Sequence, residues 1–122
     1  MSISGYSWVG IRTDDFEATT RFFEEKLGLT LTWRSGDAEV AHFQLPGGQL
    51  FEVFGPNDAG VHATNCPVVG FDVEDVRAAR DELMQLGVEF VTEVEEGEAG
   101  ASWVYFRGPD GQLYQLQRPA KQ

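Results

Sequence analysis

Four side chains carry most of the chemistry open to this sequence: the imidazoles of His42 and His62, the thiol of Cys66 and the carboxylate of Glu52. A divalent metal needs imidazole, thiolate or oxygen donors, usually from three or four side chains. No pair among His42, His62 and Cys66 has ligand spacing on one element, so these residues do not announce a metal site. Glu52 is a competent metal ligand, an anchor for a cationic ligand group, or a general base if desolvation raises its proton affinity. An acidic, glycine-punctuated run over 93–100 either closes over a cationic ligand or is a solvated turn.

These residues are positioned by a unit that occurs twice. Trp8-Val9-Gly10-Ile11 followed by Asp15 and Ala18 recurs as Val68-Val69-Gly70-Phe71 followed by Asp75 and Ala78. Leu27-Gly28-Leu29 recurs as Leu86-Gly87-Val88. Pro46-Gly47-Gly48-Gln49-Leu50-Phe51-Glu52-Val53 recurs as Pro109-Asp110-Gly111-Gln112-Leu113-Tyr114-Gln115-Leu116. The copies lie about 60 residues apart, the signature of a repeated supersecondary unit. Trp8 is therefore equivalent to Val68, Glu52 to Gln115, and His42 to Tyr105.

Each copy reads as βαβββ. In the first, alternation predicts a strand over 7–13, then a helix opened by Asp14 with Glu17 in a capping box. Phe16, Thr19, Phe23 and Leu27 share one face of that helix, and Gly28 stops it. Strands are expected over 29–34, 39–45 and 49–54, with Pro46-Gly47-Gly48 as the last turn. In the second copy the strands are 68–73, 89–94, 102–107 and 112–117. Its helix spans 75–86, with Val76, Ala79, Leu83 and Leu86 inward. A Gly, Pro, Asn and Asp-rich stretch over 55–67 joins the copies. The fold class is α+β in one domain over 1–122, with module one at about 4–55, a linker at 56–66 and module two at about 67–118.

Composition narrows the function. With 42% hydrophobic residues and 9 Phe, 3 Trp and 3 Tyr, the chain can pack a core. No apolar run reaches the ~20 residues that span a bilayer, and the lone cysteine suits a cytoplasmic setting. The net charge of −11 repels phosphate backbones and anionic lipid, which argues against nucleic-acid and membrane partners and favours cationic ligands.

Paired βαβββ units with strand–Asp–helix–Leu-Gly openings and Pro-(Asp/Gly)-Gly-Gln-Leu closings resemble the vicinal oxygen chelate superfamily. It includes glyoxalase I, extradiol dioxygenases, fosfomycin-resistance thiol transferases and bleomycin-resistance proteins. The most specific stretch, Phe106-Arg107-Gly108-Pro109-Asp110-Gly111-Gln112-Leu113, is close to the family's aromatic-x-Asp-Pro-Asp-Gly signature, with Gly108 where Asp is usual. The resemblance implies a cupped, incomplete eight-stranded barrel with two main helices. It also places the metal ligands of metal-dependent members at Trp8, Glu52, Val68 and Gln115. Trp8 offers only an N–H donor, Val68 offers nothing and Gln115 is a poor neutral ligand, so no metal and no other cofactor is expected.

Strand alternation indicates which side chains fill the cup. Tyr6, Gly10 and Arg12 face in with Trp8, Leu50 and Phe54 with Glu52, Gly70 and Asp72 with Val68, and Leu113 and Gln117 with Gln115. The opposite faces, carrying Val9, Ile11, Phe51, Val53, Val69, Phe71, Tyr114 and Leu116, pack on the helices. The expected ligand-binding set is Trp8, Arg12, His42, Glu52, Phe54, Val68, Trp103, Tyr105, Leu113 and Gln115. The facing of Trp33, Phe43, Trp103 and Tyr105 is left open, because a one-residue slip in hairpin register flips it. Glu52 pairs with Arg12 or another basic side chain, contacts a ligand, or takes up a proton.

The resemblance is nearest to the metal-free, bleomycin-resistance-like branch. It implies a cytoplasmic homodimer that sequesters or senses a cationic or heteroaromatic small molecule, of which an antibiotic is one case. The alternative is a glyoxalase-like lyase, isomerase or dioxygenase with a non-standard metal ligand set or with Glu52 as base.

Overall fold

The computed structural model describes residues 1–58 and 66–121. It divides into two compact units, a first comprising residues 8–68 and a second comprising residues 1–7 with 69–122. His62, one of the chemistry-bearing residues, lies outside the described residues.

The first unit runs from β1 (Gly5–Arg12, whose first three residues belong to the second unit) through α1 (Phe16–Arg21) to β2 (Thr30–Ser35), β3 (Val40–Gln44) and β4 (Leu50–Phe54). Its strands lie in the order β2-β3-β4-β1, with β1 parallel to β4 and the other pairs antiparallel. Alternation sorts the faces as the sequence predicts. Ala41, Phe43 and Val53 are fully buried against Phe16 of the helix, with Ile11, Phe23, Leu31 and Phe51 packed around them. Phe43 thus belongs to the core, and its neighbour His42 to the opposite face.

The helix departs from expectation in three ways. Its cap is Asp15, whose carboxylate accepts from the Ala18 N–H at 3.0 Å; Asp14 instead reaches Arg12, and Glu17 pairs with Arg34. After six residues the helix widens into a π-turn over Phe22–Lys26, closed by the Leu27 N–H on the Phe22 carbonyl. That extra residue per turn rotates the chain beyond it. Leu27 therefore ends 56% exposed; before the π-turn, Thr20 is the buried position where Thr19 was expected inward. Gly28, at φ 70°, ends the segment in the left-handed region as expected.

The second unit contains β5 (Val68–Asp72, of which Val68 is the last residue of the first unit), α2 (Val76–Gln85), β6 (Glu89–Phe90), β7 (Glu95–Glu96), β8 (Ser102–Arg107) and β9 (Leu113–Arg118). The order is β5-β9-β8-β6, with β7 also on β8 and β5 parallel to β9. Asp75 caps α2 by accepting from Ala78, the counterpart of Asp15 and Ala18. Val73, Val76, Ala79, Val104 and Leu116 form the core, while Leu86, expected inward, is 74% exposed beyond the helix end. The strand expected over 89–94 stops early because the Thr92 hydroxyl, in place of a carbonyl, accepts the Tyr105 N–H at 3.1 Å. Pairing then resumes at β7 inside the acidic run, which raises the described strands from eight to nine. The chain is thus α+β, built of two βαβββ modules as predicted. No described helix is long and apolar enough to cross a membrane.

Candidate functional site

The first unit gathers its polar chemistry on the sheet face opposite α1. In the β3/β4 ladder His42 stands directly across from Glu52, and in β1/β4 Gly10 stands beside Glu52. Because Gly10 has no side chain, the Trp8 ring lies across it; a Cβ there would sit 2.6 Å from Cζ2 of the indole. The indole Nε1–H then donates to Glu52 Oε1 at 2.8 Å, and His42 Nε2 meets Glu52 Oε2 at 2.7 Å. Both carboxylate oxygens are engaged. Trp8 is 4% exposed and tilted against Phe54, with ring centroids 6.5 Å apart, whereas the His42 side chain is one-third exposed.

Trp33 completes this face, and no pattern in the sequence could place it there. A bulge between Leu31 and Trp33 shifts the β2/β3 register, so Trp33 rather than Thr32 comes opposite His42. The Trp33 ring, half exposed, lies 4.9 Å from the imidazole. From surface inward the face reads indole, imidazole, carboxylate, indole. Arg12 is not part of it: its guanidinium pairs with Asp14 at 2.7 Å, so the partners of Glu52 are Trp8 and His42.

The second unit repeats the arrangement with neutral groups. Tyr105 stands across from Gln115 in β8/β9, the ladder place that His42 and Glu52 hold in the first unit. Gln115 Nε2 donates to the Tyr105 hydroxyl at 3.2 Å, and Gln115 Oε1 is buried with no hydrogen-bond partner. Leu113 and Tyr105 are buried in this unit, as Val68 is at the end of the first. Trp103 shares the Tyr105 side of β8 but gives its indole N–H to Glu95 of the acidic run at 3.0 Å. Asp72 accepts from Ser7 and from Gln117, each at 2.8 Å, a network that alternation alone did not suggest.

The donor chemistry tests whether a metal fits these positions. Val68 has no donor, the Trp8 nitrogen carries a proton and no lone pair, and both Glu52 oxygens already accept hydrogen bonds. Gln115 Oε1 alone is a single neutral oxygen. Among the described residues no three His, Cys, Asp or Glu side chains come together, and Cys66 is exposed. The residues at the family's ligand positions do not fit a divalent ion.

Shifted proton affinities occur at the 108–111 turn. The Tyr114 hydroxyl donates to Asp110 Oδ2 at 2.8 Å and the Gln112 N–H to Oδ1 at 3.0 Å. The first bond, helped by the second, holds the Asp110 carboxyl below its ordinary value. The same bond pushes the Tyr114 phenol above its own. Tyr114 stacks on Phe71 and Phe106, on the helix-facing side, so this pair secures the turn and takes no part in the site.

Comparison with known proteins agrees with this architecture. The model of the Glyoxalase/Bleomycin resistance protein/Dioxygenase superfamily matches residues 5–116. The uncharacterized protein YraH of Bacillus subtilis (strain 168) is 25% identical over 119 residues, covering 88% of this chain and 93% of that protein. Among solved structures, methylmalonyl-CoA epimerase from Mycobacterium tuberculosis superposes with a TM-score of 0.78 at 24% identity, over 98% of this chain and 90% of that one. A superfamily member from Vibrio splendidus 12B01 gives 0.69 at 17% identity, over 91% and 96%. At such identities the structural likeness is one of fold. The family match over most of the chain settles the lineage: this protein belongs to the glyoxalase/bleomycin resistance protein/dioxygenase superfamily.

Proposed function

We propose that this chain is a metal-free small-molecule-binding protein that sequesters or senses a cationic or heteroaromatic ligand, acting as a cytoplasmic homodimer. The observation that carries this reading is the Trp33–His42–Glu52 sequence of side chains. A half-exposed indole beside an imidazole offers a stacking surface, and a carboxylate held by two donors supplies a fixed negative pole behind it. Arrangements of aromatic area with a few convergent polar groups suit small-molecule sites. Trp8, buried and bonded to the carboxylate, orients Glu52, and Trp33 supplies the stacking surface.

A thermal-shift screen over cationic aromatics and common metabolites tests the proposal. A ligand present at 100 times its dissociation constant stabilises the fold by about 2.7 kcal/mol. Glu52→Gln keeps the shape and removes the charge, so the affinity of a cationic hit should fall by about 1.5–3 kcal/mol. Hits whose affinity ignores both Glu52→Gln and Trp33→Ala would refute the assignment.

A second reading, acid–base catalysis without a metal, is favoured by the 2.7 Å contact between His42 and Glu52. A carboxylate on one ring nitrogen fixes the tautomer of an imidazole and leaves the other to handle a proton. In this version Glu52 orients and His42 is the base. Exchange of a ligand C–H for solvent deuterium, abolished by His42→Gln, would establish it; a bound ligand that shows no exchange would exclude it.

A further inference from the structure

We infer that the Trp8 indole occupies both an oxygen of Glu52 and the space beside it, and that this one side chain keeps divalent metals off the first unit's sheet face. A partly buried carboxylate needs hydrogen-bond donors on its oxygens. Here they are the indole N–H at 2.8 Å and the imidazole at 2.7 Å, so an ion could coordinate Glu52 only by displacing one of these donors. The ring also takes the space. Trp8 is 4% exposed and lies across Gly10, where even a methyl group would clash with the ring, 2.6 Å from its Cζ2 and closer still to its Cη2.

Counting donors shows what the indole holds back. Without Trp8 the face keeps two metal-capable side chains, His42 and Glu52, on adjacent strands and directly opposed. A third donor at position 8 would bring the set to three, the number that catalytic zinc sites draw from protein. The face is a two-thirds-complete metal site whose last position holds a side chain with a proton where a lone pair is needed. This rests on the metal-free reading of the site and is tested with metal ions alone: uptake by the unaltered protein would refute both, whereas a metal-free parent whose position-8 variants still bind no metal refutes the inference and leaves the binding proposal standing.

The test is titration of Zn2+ by calorimetry and of Co2+ by its visible absorption. The unaltered protein should give no saturable uptake up to about 100 µM metal. Trp8→His should bind one equivalent at least about tenfold more tightly than the parent, and adding Glu52→Gln or His42→Ala should abolish the gain. Should Trp8→His lose the parent's far-ultraviolet circular dichroism, Trp8→Asp supplies the third donor in a smaller side chain and the same titration decides. Two results would overturn the inference: one equivalent bound by the unaltered protein and lost in Glu52→Gln, or a folded position-8 variant that binds metal no better than its parent.

Discussion

Gly10 is the residue on which the first unit's face depends, although it carries no functional group. Its bare backbone is what allows the Trp8 ring to lie beside Glu52 and give its N–H to the carboxylate. Gly10→Ala should therefore cost about 1–3 kcal/mol by overpacking, since the ring is held at both its edge and its nitrogen and cannot simply swing away. Urea denaturation of the variant measures that loss. The control is Gly5→Ala, where a Cβ meets nothing within 4 Å and stability should hardly change. At this scale much was legible before the structure. The repeat made Trp8 and Glu52 equivalent to Val68 and Gln115, and strand alternation put Trp8, Gly10, Glu52 and Phe54 on one face. His42 was in the expected set through its equivalence to Tyr105, but its contact with Glu52 was not legible, because that rests on the β3/β4 register, and a slip of one residue would have exchanged it with Phe43. Pairing of Glu52 with Arg12 was a reasonable expectation that failed for a local reason: Asp14 lies two residues from Arg12 and claims it.

Among the elements, those governed by short-range rules followed the sequence most closely. Asp75 and Gly87 bracket the second helix as capping and left-handed stop signals, and Gly111 turns the last hairpin at φ 80°. The elements that diverged did so through events without a pattern in the sequence: a π-turn after Arg21, a bulge before Trp33, and a threonine hydroxyl replacing a ladder carbonyl at Thr92. The 108–111 turn also carries a pH dependence with two arms. Asp110 has a lowered proton affinity, so its contribution to stability is complete above the ordinary carboxylate range and fades as pH falls through the lowered value. Tyr114 has a raised one, so its contribution is complete below the ordinary tyrosine range and fades as pH rises through the raised value. Asp110→Asn should flatten the melting temperature against pH at both extremes relative to the parent. Equal slopes for the two proteins would show that the bond contributes nothing to stability.

For the whole molecule, we propose a single domain over residues 1–122 that associates as a homodimer. β2 ends the first unit's strand order and β6 the second's, so each unit carries a sheet edge of the kind proteins cover. Phe22, Leu27, Met84 and Leu86 add exposed apolar surface at the helix ends. Sedimentation at micromolar concentration should report twice the 13.5 kDa chain mass, and a monomer throughout would refute the assembly.

The tryptophans, finally, give the protein an optical voice. Of the three, Trp8 and Trp103 have their indole nitrogens tied to carboxylates, while Trp33 stands half in water beside an imidazole. Its emission should be the reddest of the three, because it is the indole most open to water. A molecule settling on the His42 face would shield Trp33 from water and shift the spectrum to the blue, with no label attached. Trp33→Phe would silence that signal and leave the other two fluorophores as an internal reference.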